Sequence, residues 1–368
     1  MNLKLSEVPK ESIRVLGRNT GKLDPLTLFW TGSGIELSLK ASELYMSFVT
    51  DYEAYEQWIS IFVNGAFISR QMLPKGKSEV CLFRNMNPSD TKEVRVLKEV
   101  QAMSDDAKAT FQITEIRMDG SFDELGKRPY LFEFIGDSIT SGEGTAGALK
   151  ELDWISMFFS VVNHYGVLTA KEFDADFRIV SQSGWGTVTG WDNDTRHTLV
   201  PHYEKVCSLL KGSVNEQYGC MEAFDFGAGA DAVIVNLGTN DCGALDQPPF
   251  TNPETGETYA SRRNADGTLS EDTKNRLLTT ATGFLETIRK NNPNAQIVWV
   301  LGMLGDYLCP TFEEAVEIYK RKNGDDKVSF LRLPDTTPET VGSRSHPGAL
   351  CHKMAASVLS QYLHSVLV

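Results

Sequence analysis

The sequence lacks a cysteine framework. Its six cysteines, Cys81, Cys207, Cys220, Cys242, Cys309 and Cys351, are scattered, with no CxxC pair and no Cys/His metal spacing. They read as reduced core or surface thiols, and no metal site is expected from them. Runs of Lys or Arg are also missing, and 49 acidic residues against 36 basic ones leave a net charge of -13. That balance argues against a nucleic-acid partner, which needs a basic face for the phosphate backbone. No apolar run is long enough to span a bilayer, so no membrane partner is expected. The opening "MNLKLSEVPKESIRVL" has neither a continuous apolar core nor a small-residue cleavage site. A cytoplasmic location is expected on this ground, or secretion if a leader has been removed. Repeats and low-complexity tracts are absent.

What is present falls into two textures. A chain of 368 residues is long for a single core, so two domains are expected. From about Ile13 to Met118 short runs alternate with period two. "GIELSLK" puts Ile35, Leu37 and Leu39 on one side, and "LYMSF" does the same with Leu44, Met46 and Phe48. "WISIFVNGAFISRQML" sets Asn64-Gly65 between two apolar runs, a strong hairpin signal because both residues accept positive φ. Many short strands without crossover helices predict an antiparallel β-sandwich or jelly roll over residues 1–125.

After "MDGSFDELGKRP" strand-like runs alternate with helical segments. "YLFEFIG", "FRIVSQ", "DAVIVNLG", "AQIVWVLG" and "KVSFLRL" are apolar on consecutive positions, which suits strands covered on both faces. Ser270 is positioned to cap a helix whose face is Leu277, Ala281, Phe284, Leu285 and Ile288. The last segment predicts another helix, with a face through Leu350, Met354, Val358 and Tyr362. The alternation predicts a three-layer α/β/α domain on a parallel sheet over residues 126–368. The polar stretch after Asp241 reads as a long loop, either a wall of a site or surface decoration.

In such sheets ligands collect at the carboxyl ends of the strands. Four tips carry chemistry: Gly136-Asp137-Ser138, "SQSGWG" with Gly184, "LGTND" with Asn240 and Asp241, and "SRSHPG" with His346. A serine hydroxyl needs a nearby base to become a nucleophile, and an imidazole suits that task. Attack on an ester creates an oxyanion, for which the N–H groups of Ser138 and Gly184 and the amide of Asn240 are the expected donors. A helix after Ser138 is expected to add its dipole. Asp137 and Asp241 read as braces of their loops. His346 is preferred to His164, His197, His202, His352 and His364 because it precedes Pro347 and the last helix. Trp185, Trp191, Tyr203 and Tyr307 are candidate sugar-stacking faces, with core packing as the alternative for each, and Trp185 is favoured.

The blocks "GDSITSGEG", "SGWG", "GTND" and "HPG" resemble those of the SGNH (GDSL-like) hydrolase superfamily. With a β-rich third placed before them, the chain resembles carbohydrate esterase family 2, whose members join a jelly roll to an SGNH domain and remove acetyl groups from plant polysaccharides. The resemblance implies a serine esterase acting on acetylated xylo- or related oligosaccharides, with Ser138 as nucleophile, His346 as base and no cofactor. Many relatives carry an Asp three residues before the histidine, whereas this chain has Ser343. The resemblance therefore implies a Ser-His dyad with a backbone carbonyl orienting the ring, and Asp335 or another distant acid stays open. The rivals are another SGNH activity (lipase, phospholipase or thioesterase) and an inactive carbohydrate-binding protein. A homo-oligomer is compatible with the sequence.

Overall fold

Period-two alternation makes the first third a pair of antiparallel sheets. The computed structural model describes residues 1–367. One sheet orders Asn2–Lys4, Thr110–Met118, Leu44–Asp51 and Gly76–Phe83, and Leu26–Thr27 also pairs with Thr110–Met118. The other orders Ser121–Phe122, Gly34–Lys40, Lys92–Lys98, Gln57–Val63 and Ala66–Leu73, with Ile13–Leu16 also on Gly34–Lys40. Ile35, Leu37, Leu39, Leu44, Met46 and Phe48 are all buried in their common core. At Asn64 (φ 50°) and Gly65 (φ 75°) the chain turns in two residues, pairing Val63 with Ala66. Both central residues have positive φ, as this hairpin type requires. The outward face of Gly34–Lys40 is covered as well. There Glu36 meets Arg14, Arg95 and Arg128 at 2.5, 2.7 and 2.8 Å. Burial pushes its carboxyl up, but Arg95 and Arg128 outweigh that and hold it below the usual range.

The second unit is built on five parallel strands, β1 (Tyr130–Gly136), β2 (Ala175–Ser181), β3 (Ala232–Asn236), β4 (Gln296–Leu301) and β5 (Val328–Arg332), in the order β2-β1-β3-β4-β5. Its helices are α1 (Tyr165–Glu172), α2 (Thr239–Ala244), α3 (Glu271–Asn291), α4 (Cys309–Asn323) and α5 (Ala349–Leu367). Every residue of β3 is buried, so both faces of the sheet are covered. α1 packs with α5, and α3 with α4. The Ser270 Oγ accepts from the Thr273 N–H and caps α3, whose Leu277, Ala281, Phe284, Leu285 and Ile288 are buried. Among the described residues no helix is long and apolar enough to cross a membrane.

Three expectations are corrected. The division is not a single cut at residue 125: the first unit holds residues 1–129, 154–162 and 204–224, and the second holds the rest of the described chain. Within the first unit, the Trp30 Nε1–H donates to the Val206 carbonyl at 2.7 Å, and Trp154 meets Tyr55 edge-on at 4.8 Å. These are contacts that local periodicity cannot foretell. The buried face of α5 is Cys351, His352, Ala355, Ala356, Leu359 and Leu363, while Leu350 and Met354 are exposed. In its first half the packed side is made of small or polar residues, Cys351, His352, Ala355 and Ala356, so the large apolar letters there, Leu350 and Met354, mark the wrong side. Finally, the polar stretch after α2 is partly built, with Phe250–Thr251 and Thr258–Tyr259 paired antiparallel.

Candidate active site

The backbone of the sheet alone places the tips side by side. β1 lies between β2 and β3, and in register Gly136 faces Ser181 on one side and Asn236 on the other. Strand order reverses here, which opens a crevice at the carboxyl ends of the strands. Ser138 lies two residues past β1, Gly184 three past β2, and Asn240 in the first turn of α2 after β3. His346 arrives from the connection before α5.

The His346 Nε2 lies 2.9 Å from the Ser138 Oγ, and its Nδ1 lies 3.0 Å from the Arg344 carbonyl oxygen. A carbonyl only accepts, so Nδ1 carries the proton and donates it. Nε2 is then bare and accepts from the Ser138 hydroxyl. Asp335 pairs instead with Arg332 at 2.8 Å. The carbonyl is aimed by an unusual loop, in which Arg344 (φ 54°) and Ser345 (φ 57°) are both left-handed. Such backbone costs energy in non-glycine residues and is held by its surroundings. Here the Arg344 N–H donates to the Glu151 carbonyl at 2.7 Å, and the Gly342 N–H to the His346 carbonyl at 2.7 Å. Gly144 (φ 83°) lets the nucleophile loop touch this segment, since a Cβ there would lie 2.5 Å from the His346 Cβ.

No helix follows Ser138, which corrects the expected dipole. Residues 137–143 instead form a tight coil, closed by the Ser141 N–H on the Asp137 carbonyl (2.9 Å) and the Glu143 N–H on the Ser138 carbonyl (3.0 Å). Within it the Thr140 Oγ1 sits in the room that Gly136 leaves and lies 3.0 Å from the Tyr165 hydroxyl of α1. Among the described residues, neither the Ser138 nor the Gly184 N–H has an acceptor. Gly184 has φ 80°, and a Cβ there would press on the Trp191 ring at 3.2 Å. The Asn240 Nδ2 donates to the Trp185 carbonyl at 2.9 Å and, more weakly, to the Asp137 Oδ2 at 3.2 Å.

Buried carboxylates hold the loops. Asp241 accepts from the backbone N–H groups of Thr187 and Val188, each at 2.7 Å, and of Thr189 at 3.3 Å, tying the loop after Gly184 to α2. Burial raises its carboxyl above the usual range in spite of these bonds. Asp137 accepts from the Ile139 N–H at 3.0 Å. Burial first, then the charges of Asp241 and Glu143, push it up to about 7. Glu143 is a site residue that sequence reasoning passed over. It is buried, its Oε2 accepts from the Ser183 hydroxyl at 2.8 Å, and its Oε1 meets Arg344 Nε at 2.8 Å and lies 3.7 Å from His346 Nε2. The signal was an ionisable residue between two glycines inside the nucleophile motif.

The aromatic candidates separate. Trp185 is only 7 % exposed, and its ring stacks on His197 at 5.5 Å, with His202 at 5.3 Å. Its backbone carbonyl, not its ring, reaches the site, which corrects its assignment as the favoured sugar platform. Tyr203 is buried and bonds to Glu133 and Asn292, so it belongs to the core. Trp191 is 51 % exposed beside Gly184. Tyr307 is exposed, donates its hydroxyl to the Gly267 carbonyl at 2.6 Å, and carries Arg263 over its ring. His164, which caps α1, and His352, on α5, are both buried, and His364 stacks on Phe173. Asp192, Asp194 and His197 bring ligand atoms within 4.8 Å of one another, but Arg196 already pairs with Asp194 at 2.7 Å.

Residues 134–352 match the GDSL-like Lipase/Acylhydrolase family. The fold superposes on that of an acetyl xylan esterase, Est2A, from the rumen bacterium Butyrivibrio proteoclasticus, with a TM-score of 0.98, 45 % identity, and coverage of 100 % of this chain and 98 % of that one. A cellulase/esterase, CelE, of Acetivibrio thermocellus is 24 % identical over 357 residues, 92 % of this chain and 37 % of that protein. An acetylxylan esterase/glucomannan deacetylase of Cellvibrio japonicus is 40 % identical over 119 residues, 32 % of this chain and 31 % of that protein. The matches thus span about a third of the length of these two curated relatives. With its family's motifs meeting at one sheet edge and the match running through most of the α/β unit, the chain belongs to the GDSL-like lipase/acylhydrolase family.

Proposed function

We propose that this protein is a serine esterase that removes O-acetyl groups from carbohydrates, with acetylated xylo- or related oligosaccharides as its substrates. His346 takes the Ser138 proton on Nε2 while Ser138 attacks the acetyl carbonyl. The N–H groups of Ser138 and Gly184 and the Asn240 amide receive the oxyanion, each such donor being worth about 3–4 kcal/mol. The imidazolium then protonates the leaving sugar hydroxyl. Water, activated by the same nitrogen, attacks the acetyl-serine and releases acetate, restoring the dyad. Asp137 and Asp241 hold the donor loops, and Trp191 with Tyr307 offers faces for sugar rings.

The observation that carries this reading is the 2.9 Å contact between His346 Nε2 and Ser138 Oγ, with the other ring nitrogen bound to a carbonyl. The likeness to an acetyl xylan esterase over the full chain supports the acyl group and the substrate class. The test is acetate release from acetylated xylo-, manno- and gluco-oligosaccharides, with Ser138→Ala as the blank. Acetyl, butyryl and octanoyl esters are compared in parallel. Preference for octanoyl would replace this reading with a lipase or thioesterase, and equal sugar binding by both proteins without acetate release would leave a binding protein.

A further inference from the structure

A carbonyl orients an imidazole but brings no net charge to it. The imidazolium formed during Ser138 attack therefore lacks the carboxylate that a triad places at Nδ1. The charge is found on the opposite side of the ring. Glu143, five residues after the nucleophile on the same coil, directs Oε1 to 3.7 Å from His346 Nε2 and is only 2 % exposed on its side chain. We propose that Glu143 is the electrostatic partner of His346, so that the two tasks of a third triad member are divided between the Arg344 carbonyl, which orients, and the Glu143 carboxylate, which supplies charge.

The placement favours the transition state over the resting enzyme. At rest Nε2 is a bare lone pair accepting from Ser138, and a carboxylate beside a lone pair gains nothing. Once the proton arrives, the same carboxylate faces a cation in a water-poor site. An interaction that appears only as charge develops lowers the barrier and does not merely tighten binding. Glu143 does not take the proton, which passes from Ser138 to His346 and on to the leaving hydroxyl.

Arg344 tunes this partner. Its Nε pairs with Glu143 Oε1 at 2.8 Å, and its guanidinium also donates to the Leu152 carbonyl at 3.0 Å. One residue thus orients the ring through its backbone and attenuates the carboxylate through its side chain. Ser183 holds the other Glu143 oxygen. Of the remaining titratable groups around His346, His352 on α5 is kept neutral, pushed well below the usual histidine range first by burial and then by the charges of His164 and His346. Asp137 and Asp241 lie behind the nucleophile coil and on α2, both raised by burial. They bound the negative charge available to the ring and make a direct readout on His346 necessary.

The inference rests on the serine-esterase reading, and its test separates the two. The imidazole titration of His346 is followed by NMR, with the resonance assigned from His346→Gln, in the parent, Glu143→Gln and Arg344→Met. Glu143→Gln is expected to lower the midpoint by about one pH unit, as loss of one nearby opposite charge does. It is also expected to reduce kcat about tenfold, with KM little changed. Arg344→Met, which keeps the orienting carbonyl, is expected to raise the midpoint. General loosening of the site cannot move the two variants in opposite directions. An unmoved midpoint in Glu143→Gln, or shifts of the same sign in both, overturns the inference while serine-dependent acetate release stands. If Glu143→Gln does not fold, a midpoint that Arg344→Met leaves unchanged or lowers overturns it equally. Acetate release that survives Ser138→Ala instead removes the esterase reading itself.

Discussion

Replacing Gly144 with alanine tests whether the nucleophile loop and the histidine loop really bear on each other. The added Cβ would lie 2.5 Å from the His346 Cβ and 2.9 Å from the Ser343 carbonyl oxygen, closer than such atoms come. Two costs follow. The left-handed backbone, φ 83°, costs about 1–2 kcal/mol for a residue with a Cβ. Forcing a methyl into a filled contact costs about 1–3 kcal/mol more. Stability should therefore fall by roughly 2–5 kcal/mol, seen as a Tm lower by about 5–15 °C. The same push moves the imidazole off the serine oxygen. A displacement near 1 Å costs about a hundredfold in rate, so kcat should fall by that order while KM holds. Thermal unfolding and steady-state hydrolysis of a small acetyl ester measure both. A variant with unchanged Tm and full kcat would show that the two loops do not meet as described.

Further outcomes follow from individual side chains. Asn240→Ala should lower kcat by about a hundredfold or more with little change in KM, because it removes a donor that acts on the oxyanion; a change confined to KM would contradict that role. Trp191→Ala should raise KM for an acetylated oligosaccharide but not for a small acetyl ester, and equal effects on both would place Trp191 outside the sugar contact. His164 is pushed by burial down to about 3, so its folded value lies below its unfolded one. The stability it contributes is present above about 6.5 and is lost as pH falls toward 3. His164 also caps α1 by accepting from the Gly166 N–H, a task asparagine performs. Chemical denaturation of His164→Asn should therefore show a shallower loss of stability from pH 6.5 to 4, by up to a few kcal/mol, and a slope equal to that of the parent would refute it.

The fold was legible wherever a local rule decided the outcome. Alternation marked the sandwich strands, Asn64-Gly65 its hairpin, consecutive apolar residues the parallel strands, and Ser270 the start of α3. Three tips could be named because each follows a strand, with parallel register setting them side by side, and His346 because it precedes Pro347 and the last helix. Illegible features depend on contacts distant in sequence or on backbone angles that no letter announces. Arg344 and Ser345 are left-handed without being glycine or asparagine, so the carbonyl that meets His346 could be anticipated only through the family resemblance. Glu143 reads as a loop residue until the histidine segment closes over it. Trp185 stands next to Gly184 in sequence, but its ring turns to His197 and leaves Trp191 the exposed face. The segments 154–162 and 204–224 belong to the first unit through long-range packing, which composition does not record.

In the proposed reaction Ser138 carries the acyl group between two transfers. Rapid quenching of the enzyme with an excess of an activated acetyl ester, followed by digestion and mass spectrometry, reads this directly. The expected result is one acetyl group on the peptide containing Ser138, absent from Ser138→Ala and strongly reduced in His346→Gln. Turnover with no acetylated serine at any quench time, or an acetyl group trapped on another residue, would contradict it.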